Sequence, residues 1–327
     1  MSITIKDVAK EAGVSVATVS RALNNNGYVH EDTRKAVMDA IQLLNYKPNE
    51  VARSLFTKKS KFIGLVLPDI TNPFFPSLAR GVEDFLYAEG YHLIIGNSDK
   101  QQDKESEYID AFLQNNVIGL IISTDEIAYN KLEKAKIPTV LLDRVAENFP
   151  AVYADQDEGG TLAAERIIAS GCRCVTIVRG PISVQTTYKR YKAAYHVLKQ
   201  HQIEINIIDS SLSFQGGQEA AIRLFEEYPH TDGILACNDT VAIAIMNEAL
   251  RQGRKIPEDV QIIGFDDIYM SSIVYPGLST IQQPAYEMGK KAAEILLKQI
   301  NQEELSKLHF KFPVKYVERN STKKGVD

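Results

Sequence analysis

Polar and aromatic residues stand in this sequence directly after apolar segments that are predicted to be buried strands. Each such group alone is more often an ordinary helix cap than a binding site. Together they offer carboxylates that accept hydrogen bonds from hydroxyls, a guanidinium that donates in a fork, and aromatic rings that cover an apolar face. This combination predicts a site for a polyhydroxyl ligand such as a sugar. The residues concerned are Asn72, Phe74, Phe75, Asp143, Arg144, Asn238 and Asp266.

A second group of residues suited to specific contacts lies near the N-terminus, on two short amphipathic helices. Thr4 is predicted to cap the first helix, and Gly13 to end it, because glycine adopts a positive φ readily. Ser15 is predicted to cap the second helix, which buries Val19 and Ala22. Two short helices around a glycine-containing turn form a helix-turn-helix. The outward side of the second helix suits the reading of base edges and phosphates, and it presents Val16, Ala17, Thr18, Ser20 and Arg21.

A third helix is predicted over residues 31–44, and a polar linker follows it. Lys47 precedes Pro48, and a proline moves the residue before it out of the helical region. Residues 49–55 then have helical spacing for less than two turns, which is too short for a stable free helix. We therefore predict a hinge and linker over 49–61 that folds only against another surface.

From Phe62 onward, short apolar runs alternate with longer amphipathic stretches. This alternation is typical of a parallel sheet covered by helices on both faces. It runs through two similar series, so the predicted fold class is a small all-α helix-turn-helix headpiece plus an α/β body of two doubly wound parallel-sheet lobes. Ligands of such sheets bind at the carboxyl ends of strands, where the polar residues stand. A helix over 285–300 and one last strand over 312–318 are expected to complete the series.

Charge is distributed unevenly along the chain. The whole sequence has 37 Lys and Arg against 42 Asp and Glu, a net charge of −5. The first 60 residues contain nine basic and six acidic residues and are net positive by 3, which leaves −8 for the rest. A cationic segment suits contact with phosphates, whereas an acidic remainder disfavours unspecific adherence to DNA.

The cysteines and the hydropathy of the sequence indicate in which cellular compartment the protein is expected. Cys172, Cys174 and Cys237 form no CxxC pair, which fits free thiols in a reducing cytoplasm better than a metal site. The first residues contain no apolar signal core, and no apolar run reaches the length of a membrane span. We expect a soluble, cytoplasmic protein without membrane contact or a bound metal.

The N-terminal segment closely resembles the DNA-binding headpiece and hinge of the lactose-repressor family. The resemblance is carried by KDVAKEAGVSVATVSRALN and TRKAVMDAIQLLNYKPNEVARSL, and it extends over residues 3–57. It implies a homodimer on a palindromic double-stranded DNA operator, with Leu55 as a wedge in the minor groove. The residues that it assigns to DNA contact are Thr4, Ser15, Val16, Ala17, Thr18, Ser20, Arg21, Asn24, Tyr46, Asn49, Val51, Ala52 and Leu55.

The rest of the chain, from Lys61 to about Arg319, resembles the type I periplasmic sugar-binding fold. Its motifs NPFF, LDR, ACND, GFDD and LSTIQQP are similar to those of ribose-binding proteins. The resemblance adds Arg190, Phe214 and Gln283 to the sugar site. The implied domains are a headpiece at 1–48, the hinge and linker at 49–61, and a ribose-binding and dimerisation body at 62–327, with lobe one at about 62–157 and 284–311 and lobe two at about 158–283 and 312–320.

Together, the two resemblances imply a transcriptional repressor of ribose uptake and utilisation genes that D-ribose releases from its operator. No cofactor is expected besides this effector. Relatives that answer to another sugar, a purine or a phosphorylated carrier protein leave those effectors as alternatives. Asp143 and Asp266 favour a polyhydroxyl ligand over a purine. They also disfavour a sugar phosphate, although Arg144 and Arg190 partly offset their charge.

Two other classes of protein fit the sequence less well. An enzyme could use Asp143, Asp266 and Arg190 as acid, base and anion clamp. However, the sequence has no nucleophile elbow, P-loop, GxGxxG motif or metal-ligand spacing. A secreted binding protein would need a signal peptide and would not need a DNA-binding headpiece. The sequence therefore favours a regulator that is not an enzyme.

Overall fold

The computed structural model describes residues 3–24, 27–46, 60–123 and 129–324. The chain divides into two units between Ser60 and Lys61. The described part of the smaller unit contains three helices, α1 (Ile5–Glu11), α2 (Val16–Asn24) and α3 (Glu31–Leu43). The expected hinge at 49–61 lies outside the described residues except for its last two positions.

The predicted caps shape the small unit. The Asp7 carboxylate accepts a hydrogen bond from the Thr4 backbone N–H at 2.8 Å, which closes the first turn of α1. Gly13 has a φ of +64°, and this left-handed residue turns the chain after α1. The Ser15 hydroxyl oxygen accepts from the Thr18 N–H at 3.1 Å and caps α2. The three helices bury one small core, which contains Val8, Ala9, Val19, Ala22, Val37 and Ala40.

The larger unit begins with a series of strands and helices that forms most of one lobe. This series is β1 (Phe62–Leu67), α4 (Phe74–Ala88), β2 (His92–Asn97), α5 (Gln102–Gln114), β3 (Leu120–Ile122), α6 (Tyr129–Ala135), β4 (Thr139–Leu142) and β5 (Ala151–Ala154). The second series is α7 (Gln156–Ala169), β6 (Cys174–Arg179), α8 (Gln185–Gln200), β7 (Glu204–Asp209), α9 (Phe214–Glu227), β8 (Gly233–Ala236), α10 (Asp239–Arg251), β9 (Gln261–Asp266), α11 (Met270–Ile273) and β10 (Ser279–Gln282). These are followed by α12 (Ala285–Ile300), β11 (His309–Phe312) and β12 (Lys315–Val317).

The strands form two sheets of six strands, and we call each sheet with its helices a lobe. Lobe one has the strand order β11-β5-β4-β3-β1-β2, and lobe two has β12-β10-β9-β8-β6-β7. The pairs are parallel except for β12, which runs antiparallel to β10. In β1, Leu65 and Val66 belong to different core clusters, as expected for a strand with both faces buried. The predicted fold class is confirmed. No helix among the described residues is long and apolar enough to cross a membrane.

The last strand predicted over 312–318 is present but shorter, as β12, and β11 before it was not predicted. The structure has two strands there, and Pro313 stands just after the first. Proline has no N–H with which to continue a ladder, so the first strand ends at Phe312. β11 pairs with β5 in lobe one, whereas β12 pairs with β10 in lobe two. The chain therefore passes from one lobe to the other between these two short strands.

Two glycines allow α4 and α12 to pack with their backbones in contact. A Cβ at Gly81 would lie 2.0 Å from the carbonyl oxygen of Tyr286, and a Cβ at Gly289 would lie 2.0 Å from that of Leu78. Any side chain at either position would push the helices apart. As a result, α12 follows lobe two in sequence but packs in lobe one, against the helix that begins with Phe74.

Candidate functional site

A narrow cavity, partly open to solvent, lies between the two lobes of the larger unit. It is lined by residues that follow the carboxyl ends of strands in both sheets, as expected for doubly wound sheets. Eight of the ten residues predicted for the sugar site line it. They are Asn72, Phe74, Phe75, Asp143, Arg144, Arg190, Asn238 and Asp266.

Phe74 and Phe75 form the aromatic part of the wall in lobe one. Their ring centroids are 5.3 Å apart and their planes are inclined by 74°, an edge-to-face arrangement. The Asn72 side-chain oxygen accepts from the Phe74 N–H at 3.1 Å and thereby fixes the first turn of α4. All three side chains are buried, so the rings are held in place before any ligand arrives.

Asp143 and Arg144 form a buried ion pair on the same wall. Arg144 Nη1 donates to Asp143 Oδ2 at 2.8 Å, and both side chains are almost fully buried. Asp143 has a φ of +60° and Asp266, at the end of β9, has a φ of +114°. Non-glycine residues in this region are strained, and such strain concentrates at functional sites.

Two side chains of the cavity wall, Arg190 and Asp266, and two side chains behind it join in a closed ring of polar contacts, which we call the amide ring. Arg190 Nε donates to Gln156 Oε1 at 2.6 Å, and Gln156 Nε2 donates to Gln283 Oε1 at 2.8 Å. Gln283 Nε2 donates to Asp266 Oδ1 at 2.7 Å, and Arg190 Nη1 lies 3.6 Å from the same oxygen. Gln283 was predicted to contact the sugar, but the structure places it in this ring and not on the cavity wall.

The guanidinium of Arg190 is held on several sides. It stacks on the Phe265 ring with its central carbon 3.7 Å from the ring centroid, and Nη1 donates to the Cys237 carbonyl at 2.9 Å. Within the described residues, Arg190 Nη2 and Asp266 Oδ2 make no hydrogen bond to the protein. One guanidinium donor and one carboxyl oxygen therefore remain for a ligand in the cavity.

Burial controls the charge of two carboxyl groups in this region. It raises the pKa of Asp266 to about 8; the positive charge of Arg190 opposes this rise, whereas Asp239 and Asp143 add to it. It also raises the pKa of Asp239 to about 7, against hydrogen bonds from Thr280 and Ser271. Asp239 Oδ2 accepts from the Ile268 N–H at 2.9 Å, so this carboxyl ties α10 to the loop after β9.

Phe214, which was predicted to contact the sugar, does not line the cavity in this structure. It is the first residue of α9, its side chain is 42% exposed, and Leu212 lines the cavity instead. The reason is local, because Ser213 caps α9 by accepting from the Gly216 N–H at 3.1 Å, which places Phe214 in the first turn. In addition, the Leu212 carbonyl accepts from the Asn238 amide at 3.1 Å, which holds this segment at the wall.

Sequence reasoning missed several residues of the cavity. Lys100 and Asp69 line it as an ion pair at 3.3 Å, and Thr186 and Thr187 line it at the start of α8. Asp69 also accepts from the Thr71 hydroxyl at 2.6 Å. These residues lie in loops or a helix start without a recognised motif, so only their position after predicted strands could have indicated them.

In the smaller unit, α2 presents the side predicted to contact DNA. Val16, Ala17 and Arg21 are exposed, whereas Val19 and Ala22 are buried against the other helices. The remaining predicted positions Thr4 and Ser15 are exposed, Thr18 and Ser20 are half-buried, and Tyr46 is half-buried against the core. Asn49, Val51, Ala52 and Leu55 lie outside the described residues, as does the side chain of Asn24.

Comparison with known proteins identifies both units. Residues 4–49 match the model of bacterial regulatory proteins of the lacI family, and residues 164–322 match a periplasmic binding protein-like domain. The ribose operon repressor of Bacillus subtilis (strain 168) is 50% identical over 98% of this chain and 99% of that protein. The chain belongs to the lacI family.

Solved structures agree with this family. The lac repressor dimer, determined in complex with operator and an anti-inducer, is 25% identical with a TM-score of 0.87 over 98% of this chain and 99% of that chain. A LacI family transcriptional regulator from Enterococcus faecium, determined with bound ribose, is 32% identical with a TM-score of 0.74 over 80% of this chain and 98% of that chain. The helix-turn-helix prediction is confirmed, and the chain is a DNA-binding transcriptional regulator rather than an enzyme.

Proposed function

We propose that this regulator represses ribose uptake and utilisation genes as a homodimer on a palindromic operator, and that D-ribose in the cavity releases it. The observation that supports D-ribose as the effector is the cavity wall, where eight predicted sugar-site residues from both lobes come together. The E. faecium relative with bound ribose supports the same ligand.

The wall offers the groups that a pentose needs. Asp143 and Asp266 accept hydrogen bonds from sugar hydroxyls, while Arg144 and Arg190 donate them. Asn72 and Asn238 offer amides, although each also stabilises a helix start. Phe74 and Phe75 cover the apolar face of the ring. The Asp143 carboxylate beside the ligand disfavours a phosphorylated sugar, since it would repel the phosphate.

The same contacts link sugar binding to closure of the lobes. Asn72, Phe74 and Asp143 belong to lobe one, whereas Arg190 and Asp266 belong to lobe two. A sugar that binds both walls favours the closed arrangement by the free energy of the contacts that exist only there. Closure rotates lobe one, which continues into the hinge at 49–61, and a short hinge helix is stable only while it is packed. These contacts do not decide whether the sugar weakens or strengthens operator binding. We propose an inducer, rather than a co-repressor, because the chain resembles ribose operon repressors.

An exposed apolar patch on lobe two supports the homodimer. Tyr269 precedes the short helix α11, Ile273 ends it and Tyr275 follows it; all three side chains are exposed, Tyr275 at 92%. Adjacent exposed apolar side chains of this size are typical of a surface covered by a partner. Two-fold symmetry also doubles the DNA site read by α2, since one headpiece reads too few base pairs for specificity.

Two measurements test this function. Isothermal titration with D-ribose and a panel of pentoses, hexoses, ribose 5-phosphate and purines identifies the effector, and we expect D-ribose to bind most tightly. Operator affinity is then measured with and without millimolar ribose, and we expect ribose to weaken it. By linkage, operator DNA must weaken ribose binding by the same factor. Preference for another compound would refute the effector, and tighter operator binding with ribose would refute the inducer role alone.

A further inference from the structure

Gln156 is buried but does not line the cavity, and its side chain contacts two cavity residues and one crossover residue. Its Oε1 accepts from Arg190 at 2.6 Å, and its Nε2 donates to Gln283 at 2.8 Å and to Asp143 Oδ1 at 3.4 Å. It thus joins the ion-paired carboxylate of lobe one to the guanidinium of lobe two.

Gln156 also lies where the chain first passes between lobes. β5 belongs to lobe one, and α7, whose first residue is Gln156, leads into the strands of lobe two. Asp155 caps α7 by accepting from the Glu158 N–H at 3.2 Å, which fixes the first turn. Gln283 lies on the second crossover, between β10 and α12. The amide ring therefore connects two of the three crossovers with two cavity residues.

We propose that Gln156 is a positioning residue for the effector site, which orients Arg190 directly and Asp266 through Gln283. This inference rests on the proposed ribose function. The position requires an acceptor for Arg190 and a donor for Gln283 on one side chain, and an amide supplies both from separate atoms, whereas an ionised carboxylate supplies acceptors alone. If Gln156 were lost, Arg190 would lose a partner and the Gln283 amide would be free to turn, so Asp266 would lose its donor as well.

The variant Gln156→Glu tests this chemistry because it retains the shape of the side chain. An ionised glutamate still accepts from Arg190, but it cannot donate to Gln283 or Asp143. The charged groups around it are Arg190 on α8, the ion pair of Asp143 and Arg144 after β4, Asp266 at the end of β9 and, beyond Asp266, Asp239 on α10. Protonation restores an O–H donor, so acid should repair the ring in this variant.

The experiment measures D-ribose affinity of the full-length protein by calorimetry from mildly acidic to mildly alkaline pH. We expect Gln156→Leu to lose about tenfold in affinity, the size of one hydrogen bond to a charged group. Gln156→Glu should lose at least as much at neutral pH, and its deficit relative to the unsubstituted protein should shrink as pH falls. Gln261→Leu is the matched control, since Gln261 is an equally buried glutamine that donates to the Ser170 carbonyl, away from the cavity. It should stay within about twofold.

Operator binding without sugar reports whether each variant folds. If Gln156→Leu fails to fold, the pH response of Gln156→Glu decides alone. A deficit of Gln156→Glu that is the same at every pH, or ribose binding that is indifferent to both substitutions, overturns the role of Gln156 only. Absence of ribose binding by the unsubstituted protein overturns the proposed function and this inference with it.

Discussion

Replacement of Arg190 by methionine should remove a defined part of effector affinity. Methionine retains an apolar stem over the Phe265 ring but has no N–H groups. Arg190 Nη2, which makes no hydrogen bond within the described residues, is the donor that a sugar would lose. A hydrogen bond to a charged group contributes about 1.5–3 kcal/mol, so ribose affinity should fall by a factor between about 10 and about 150.

A second effect acts in the same direction. The charge of Arg190 holds down the pKa of Asp266, which burial has already raised to about 8. Without that charge the pKa rises further, and Asp266 remains a neutral carboxylic acid over a wider pH range. A neutral carboxyl is a weaker acceptor for sugar hydroxyls than a carboxylate.

The assay is calorimetric titration with ribose, together with operator binding in the absence of sugar. Arg179→Met is the matched control, because Arg179 also lies over an aromatic ring, that of Tyr191 at 4.9 Å, and pairs with Asp209 outside the cavity. We expect normal sugar-free operator affinity in both variants and lost ribose affinity in Arg190→Met only. If Arg190→Met binds ribose as tightly as the unsubstituted protein, Arg190 is not part of the site.

Three further outcomes are expected. Leu55→Ala should weaken operator binding strongly and leave ribose affinity unchanged in gel-shift and calorimetric titrations, and unchanged operator affinity would contradict the wedge. Gly81→Ala should destabilise the larger unit by about 1–3 kcal/mol or more, because its Cβ would meet the Tyr286 carbonyl at 2.0 Å; an unaltered denaturant midpoint would contradict that packing. The raised pKa of Asp239, about 7 against an ordinary 3.8, makes the folded state bind its proton more tightly, so stability from this group is lost as pH rises through that range. Thermal unfolding in a pH series should show this fall, and Asp239→Asn should reduce it, whereas parallel profiles would argue against it.

The strand-end pattern predicted the cavity well because parallel strands bring their carboxyl ends to one edge. Asp143 and Asp266 are 123 positions apart in sequence, yet Asp143 follows the buried strand β4, Asp266 ends the buried strand β9, and both line the cavity. The headpiece was equally accessible from sequence, since Thr4, Gly13 and Ser15 act through neighbours within a few residues.

The parts that sequence reasoning missed depend on contacts between distant residues. The partner of Gln156 lies 127 positions away, so no local pattern reveals that this glutamine closes a ring. The Lys100 ammonium is held at the cavity by Asp69, which lies 31 positions earlier in the sequence. Phe214 was assigned by local matching, which did not take account of the cap at Ser213. The range predicted for the last strand included Pro313, although proline has no N–H and interrupts the hydrogen bonds between strands.

The packing of α12 on α4 and of β11 on β5 has a consequence for how the protein is made. Lobe one begins at Phe62, but its edge strand pairs His309 with Ala151 and its closing helix starts at Ala285. At about 5–20 residues per second, translation reaches these segments on the order of 10 s after β5 has been synthesised. During that interval the face of α4 around Gly81 and the free edge of β5 have no partner, while all the strands of lobe two except β12 are being synthesised. Lobe one, although first in sequence, is thus completed only when α12 and β11 have been synthesised, just before β12 completes lobe two, and a nascent chain interrupted before Ala285 cannot finish the wall that carries Phe74 and Asp143.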